Sequence, residues 1–377
     1  MNVFCIGKLS YDIICPVEGA LKAGENISSP ERIDSAGGKV SNAAYLLGKW
    51  GQKVQFAGVT GSDDFGAKIK KEFDSVQVDT SFIETSYEKP TIVTLNIVDK
   101  TSGISTSVET YKSDFASLRK RDFGIAPEVI LVEPHDYNAV HETLEKNQKA
   151  TSILFASKST PEAIDLCKFS KYLVCNSAFA ETLTKSAIDL RNPSAIASSY
   201  QALKNRFPNC EIVVILKEGG ALYSNNGEIK VMPGTNTKVV DKTAMEEAFL
   251  GAFTYGFANN FDIEKAVTYG LITAGLTGTK IGSRTAFPSL NEVISYYGDK
   301  FGASGNLSTS QSNGSAGNFE SASQNTKTTT PEVLNSTPVS TPSNTVASPT
   351  SSAPSNPANN NGALNAIPDV MPEIPKN

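Results

Sequence analysis

Apolar positions along the chain fall into two kinds of run. Residues 3–6, 129–133, 153–156, 172–175 and 212–216 form short, mostly continuous apolar stretches, the pattern of parallel strands buried on both faces. Between them lie longer stretches with helical spacing, such as Ala43, Leu46, Leu47 and Trp50, or Phe249, Ala252, Phe253 and Phe257. Alternation of the two kinds predicts an α/β fold with a mostly parallel central sheet. Residues 91–98 and 104–111 instead read as β-rich runs joined by Asp99-Lys100-Thr101-Ser102-Gly103, a hairpin signal. Residues 239–253 read as a strand end, a polar turn and a helix, with Thr243 and Glu246 spaced as a capping box.

From residue 303 the pattern stops. The chain to Asn377 is mostly Ser, Thr, Asn, Pro and Gly, and such a segment buries too little surface to offset its ordering entropy. The expected organisation is one domain over residues 1–300 and a low-complexity, disordered tail over 301–377. The last residues, 367–375, are more apolar and proline-restrained, so they read either as an inert end or as a segment that docks on a protein partner.

Composition narrows the function classes. A chain of 377 residues with 39% hydrophobic content can bury a large core. Net charge is -5 and no basic run marks a nucleic-acid footprint, so nucleic acid is not an expected partner. No signal peptide or membrane-length apolar run is present, which predicts a cytoplasmic protein with no membrane partner. The five cysteines lack C-x-x-C spacing and read as reduced thiols, and His135 and His141 are not at metal-ligand spacing, so no metal site is assigned.

Four stretches carry candidate chemistry. Ala36-Gly37-Gly38-Lys39-Val40-Ser41-Asn42 places paired glycines, which let a ligand approach the backbone, beside the hydrogen-bond donors of Lys39 and Asn42. Asp12 lies in the loop expected after the first strand, where α/β folds gather ligands; it reads as a ligand contact or as a turn residue. Gln55 to Gly66 reads as strand, glycine turn and helix start. At 241–247, a helix N-terminus offers free amides and a favourable dipole to an anion.

These stretches together resemble the ribokinase (PfkB) carbohydrate kinases over nearly all of residues 1–300. Gly37, Gly38 and Asn42 match the family's G-G-x-x-x-N-x-A substrate segment, and Gly58, Gly61, Asp64 and Gly66 match its F-x-G-x-x-G-x-D-x-x-G. The resemblance implies a three-layer sandwich with a small β-lid from segments about 13–33 and 91–112, and a homodimer through that lid as an assembly to test. It also implies sugar contacts from Asp12, Gly37, Gly38, Lys39 and Asn42; Glu133 reads equally as a further contact or a surface residue.

Departures cluster on the nucleotide side. The D-T-x-G-A-G-D-x-F signature keeps Asp241, Thr243 and Phe249, but Gly-Ala-Gly-Asp has become Ala244-Met245-Glu246-Glu247, with Glu247 at the position of the family's catalytic base. Asn176 matches N-x-x-E, whereas Phe179 replaces its Glu, and Glu181 is turned about 200° away along a helix. Gly220 is retained near the nucleotide strand, where Lys217 replaces a glycine and reads as a phosphate contact or a solvated lysine. Two functions follow from the resemblance. One is a pseudokinase that binds a small sugar or polyol, with no cofactor; the other is an active sugar or nucleoside kinase using ATP and Mg2+ with Glu247 as base.

Overall fold

The computed structural model describes residues 1–110 and 117–301. The predicted tail, and the end of the second lid segment from Tyr111, lie outside the described residues. In chain order the elements are β1 (Val3–Ile6), β2 (Ser10–Val17), β3 (Ile33–Gly37), α1 (Lys39–Lys49), β4 (Val54–Gly61), α2 (Asp64–Ser75), β5 (Asp79–Ser86), β6 (Ile92–Asp99) and β7 (Ile104–Glu109). There follow β8 (Val129–Val132), α3 (Tyr137–Lys146), β9 (Thr151–Ala156), α4 (Pro161–Leu166), β10 (Tyr172–Asn176), α5 (Ser177–Thr184) and α6 (Pro193–Arg206). The chain continues through β11 (Glu211–Ile215), β12 (Ala221–Asn225), β13 (Glu228–Met232), α7 (Met245–Ala258), α8 (Ile263–Thr277) and α9 (Leu290–Phe301).

Nine strands form the central sheet in the order β13-β12-β11-β10-β9-β8-β1-β4-β5. From β11 to β5 every pairing is parallel, while β12 and β13 add an antiparallel edge. Successive residues of one strand feed opposite layers. Val3 and Cys5 join the core under α1, α2, α7 and α8, whereas Phe4 and Ile6 join the core under α3, α4, α5 and α6. The result is the three-layer sandwich expected, because runs such as Val129–Val132 have no polar face to give to water. The edge strands β5 and β13, and β12 beside the latter, were not foreseen; each has exposed or half-buried residues that blur its apolar signal.

The lid is a second sheet, in the order β3-β2-β6-β7. Its first strand begins at Ser10 rather than near residue 13, so Asp12 sits within β2 and not in the loop read from the sequence. Asp12 pairs with Ser35 and Thr94 across the lid, and pleating aims it to the same side as Ser10 and Ile14. The hairpin between β6 and β7 reaches back to the sandwich: Lys242 N–H donates to the Gly103 carbonyl at 2.9 Å. Lys8, leaving β1, forms an ion pair with Glu109 of β7. At the turn after β4, Asp63 caps α2 through Gly66 N–H and accepts Thr91 N–H at 2.7 Å, tying that glycine-rich turn to the start of β6.

Candidate functional site

The strand end expected at Val239-Val240 is a loop. Val240 N–H and Asp241 N–H both donate to the Gly278 carbonyl, at 2.7 and 3.2 Å. Asp241 is buried and braces the loop, accepting Thr243 N–H at 2.8 Å and Gly282 N–H at 2.9 Å. The capping box is also absent. Helix α7 starts at Met245 after Ala244, with no side-chain cap; Thr243 turns to Asp241, and Glu246 turns away from the backbone. Glu246 instead meets an ammonium group, a contact between two full charges that a backbone amide does not offer.

That ammonium group is Lys39, delivered by the first turn of α1. Its Nζ lies 3.0 Å from Glu246 Oε2 and 3.2 Å from Glu247 Oε1. Asn176 Nδ2 donates to the other Glu246 oxygen at 3.1 Å, while Asn176 Oδ1 caps α5 through Phe179 N–H at 3.0 Å. Burial favours neutral Lys39, yet Glu247 and Glu246 raise it above the ordinary lysine range. Burial would likewise raise Glu246, but Lys39 and Asn176 hold its carboxyl below the usual value. Glu247 is different: burial dominates and raises it, and its Oε2 has no hydrogen-bond partner among the described residues.

Asp12 faces this group from the lid. It is buried, accepts Ser10 Oγ–H at 3.1 Å, and is pushed by burial up to about 6, with Lys8 and Arg284 opposing and Glu247 adding to the shift. Gly37 and Gly38 are both required here. A Cβ on Gly37 would collide with the Asp12 carboxylate, and Gly38, at φ 100°, would drive a Cβ into the Lys8 carbonyl. Glu133 lies beneath this cradle, half-buried, where Oε1 accepts Lys8 N–H at 2.9 Å. It braces the β1–β2 loop.

Asn42 is held from the interior. Its Nδ2 donates to Ser283 Oγ at 2.9 Å, and its Oδ1 accepts Arg284 Nε–H at 3.0 Å. Arg284 is 2% exposed and also reaches Ser41 Oγ at 2.6 Å and Glu72 Oε2 at 3.2 Å. Its guanidinium sits over the Tyr45 and Phe73 rings. Glu72 in turn accepts Ala36 N–H at 2.8 Å, so one buried arginine connects both sides of the glycine cradle. Sequence reasoning missed Arg284 and Glu72; the lone signal was an arginine within a closing segment of small and apolar residues.

Across Glu246 lies a cleft of about 930 Å³ between the β10–β11 end of the sheet and helices α7 and α8. Asn176, Lys217, Gly220, Met245 and Glu246 line it. Lys217 is largely exposed and lies 3.6 Å from Glu181 and 3.8 Å from Glu218. On α5, Phe179 is fully buried in the core, whereas Glu181 is on the cleft wall. Asp241 and Thr243 are beside the cleft as loop braces. No cluster of three or more His, Cys, Asp or Glu side chains suited to a metal occurs among the described residues.

This geometry, a glycine cradle and a cleft meeting at a helix N-terminus, accords with the family comparison: the pfkB family carbohydrate kinase profile matches residues 1–290. The chain belongs to the pfkB family of carbohydrate kinases. It is 22% identical over 300 residues to ribokinase of Haemophilus influenzae, covering 77% of this chain and 96% of that one. Deoxyribokinase of Salmonella typhi is 23% identical over 312 residues, covering 78% and 98%. Among solved structures, Arabidopsis thaliana ribokinase complexed with ribose and ATP superposes with a TM-score of 0.65 at 19% identity, over 78% of this chain and 97% of that one. Burkholderia thailandensis nucleoside kinase in complex with inosine gives 0.61 at 16%, over 80% and 99%.

Where an anion would need bare amides, Glu246 places a carboxylate at the start of α7 that Lys39 and Asn176 keep ionised and in place. Two outcomes are expected. Replacing Arg284 by Met should cost about 3 kcal/mol in urea unfolding, because Asn42, Ser41 and Glu72 lose a charged partner at once. For Asp12, the folded carboxyl holds its proton more tightly than the ordinary value of 3.8, so its stabilising contribution is full below that value and lost as pH rises through about 6. Thermal melts should therefore show Asp12→Asn gaining on the wild type by about 2 kcal/mol between about pH 4 and 7.

Proposed function

We propose that this chain binds a small sugar or polyol in the cradle of Asp12, Gly37, Gly38, Lys39 and Asn42 and transfers phosphate weakly or not at all. The observation that carries the reading is Lys39 held between Glu246 and Glu247 at the first turn of α7. A phosphate brought there would face a like charge, costing about 4 kcal/mol at about 4 Å with an effective dielectric near 20. It would also meet side chains where phosphoryl transfer needs close backbone contact. Ribose is the first ligand to try, since a ribokinase of the same fold is known with ribose bound.

A second reading, an active ATP- and Mg2+-dependent sugar or nucleoside kinase, is favoured by one feature: Glu247 keeps a carboxylate at the base position, raised by burial toward the range a general base needs. Calorimetry and thermal shift with a sugar panel, with and without ATP and Mg2+, separate the two. Binding of a sugar unaffected by ATP, with no ADP released, is the expected result; saturable ATP-dependent phosphorylation of the sugar that Glu247→Ala abolishes would overturn it.

The assembly reading is a homodimer through the lid. On its outer face Leu95 pairs with Ile13 and Val108 across three strands, and Leu95, Val108 and Ile104 are exposed. An apolar sheet face of this kind marks an interaction surface. Sedimentation should give a dimer that Leu95→Asp with Val108→Asp converts to a monomer; a monomeric wild type would sink the idea. The free thiols, of which Cys5, Cys167, Cys175 and Cys210 are buried, suit the reducing cytoplasm.

A further inference from the structure

The glycine cradle is short of free side-chain donors. Lys39 gives its N–H groups to Glu246 and Glu247, and its Nζ lies 5.3 Å from the centre of the Phe155 ring. Asn42 is 4% exposed, with Nδ2 donating to Ser283 and Oδ1 accepting from Arg284. Ser10 directs its hydroxyl at Asp12. Acceptors, by contrast, are in excess. A carboxylate can take about four hydrogen bonds, yet among the described residues Ser10 is the one side chain that donates to Asp12. The Asp12 oxygens lie against Gly37, where a Cβ would come within 2.2 Å of Oδ2. Glu247 is 6% exposed, and its Oε2 has no partner among the described residues.

Charge is unbalanced in the same direction. Glu247 is near enough to Asp12 to raise its carboxyl, so that Asp12, Glu246 and Glu247 converge on a place where Lys39 supplies the ammonium group. The other two cations near Asp12 are engaged elsewhere, Lys8 with Glu109 and Arg284 with Glu72. Among the described residues these acids do not form a group suited to a metal.

We propose that the cradle takes a ligand carrying a protonated amine, an amino sugar or amino polyol, with its ammonium group set against Asp12 within the field of Glu247. An ammonium group offers three donors and no acceptor, which complements what the cradle leaves open. A neutral hydroxyl brings one donor together with lone pairs that Asn42 and Ser10 are not free to meet. Asp12 is then the residue that determines specificity. The ligand's place in the cradle rests on the functional reading above; its charge does not.

Titration calorimetry on the full chain near neutral pH tests this with matched pairs: glucosamine and glucose, galactosamine and galactose, glucamine and sorbitol. In at least one pair the amine should bind at least about tenfold tighter, a difference of about 1.4 kcal/mol. Asp12→Asn, which keeps the size of the side chain and removes its charge, should abolish that preference, and melting of the variant reports whether it is folded. Neutral partners that bind as tightly as the amines in every pair, or a preference that folded Asp12→Asn retains, would overturn the proposal. Failure here is separable from failure of the functional reading. Neutral sugars bound as tightly as amines sink the ligand class alone, whereas ATP-dependent phosphorylation of a preferred amine sinks the reading of weak or absent transfer alone; binding of neither kind sinks both.

Discussion

One ammonium group between two carboxylates organises the centre of this molecule. Lys39 comes from the glycine cradle and Glu246 and Glu247 from the start of α7, so the contact joins the cradle to the head of that helix. Lys39 is half-buried, and the chain itself supplies the anions that face it. Asn176 extends the same arrangement to α5, and the order of the helix N-terminus then depends on side chains rather than on bare amides.

The cradle survives because its demands are on the backbone. Gly37 leaves room for Asp12, and Gly38 adopts a backbone conformation that other residues resist; neither depends on what occupies the anion site. Arg284 adds a second constraint from the far end of the chain, stacking on Tyr45 and Phe73 while satisfying Asn42, Ser41 and Glu72. The glycine cradle is therefore held by contacts that do not involve the start of α7.

Legibility in the sequence followed the range of each interaction. Strands such as Val129–Val132 and Ile153 onward were readable because burial on both faces leaves a local apolar signature. The glycine cradle was readable for the same reason, since its requirement is written in neighbouring residues. The capping box failed because a rule about residues three apart ignored Lys39, 207 positions away from Glu246. Asp12 was misplaced in a loop because β2 continues the chain almost directly from β1, and Arg284 gave no pattern because its partners come from α1 and α2. Glu181 was correctly read as pointing away from position 179; what the helix periodicity could not say was that position 179 faces the core and Glu181 the cleft.

The placement of β1 also bears on how the chain is made. Val3–Ile6 is synthesised before either of its partners, yet it ends in the middle of the nine-stranded sheet, between β4 and β8. One flank can be covered once residues 54–57 emerge, but the other stays an open parallel edge until residues 129–132 have been synthesised. Throughout that interval a fully apolar strand has an unsatisfied row of amides and carbonyls, the condition under which nascent chains pair wrongly with one another. The lid sheet, whose strands β2, β3, β6 and β7 are all translated within the same interval, can assemble meanwhile but does not pair with that edge.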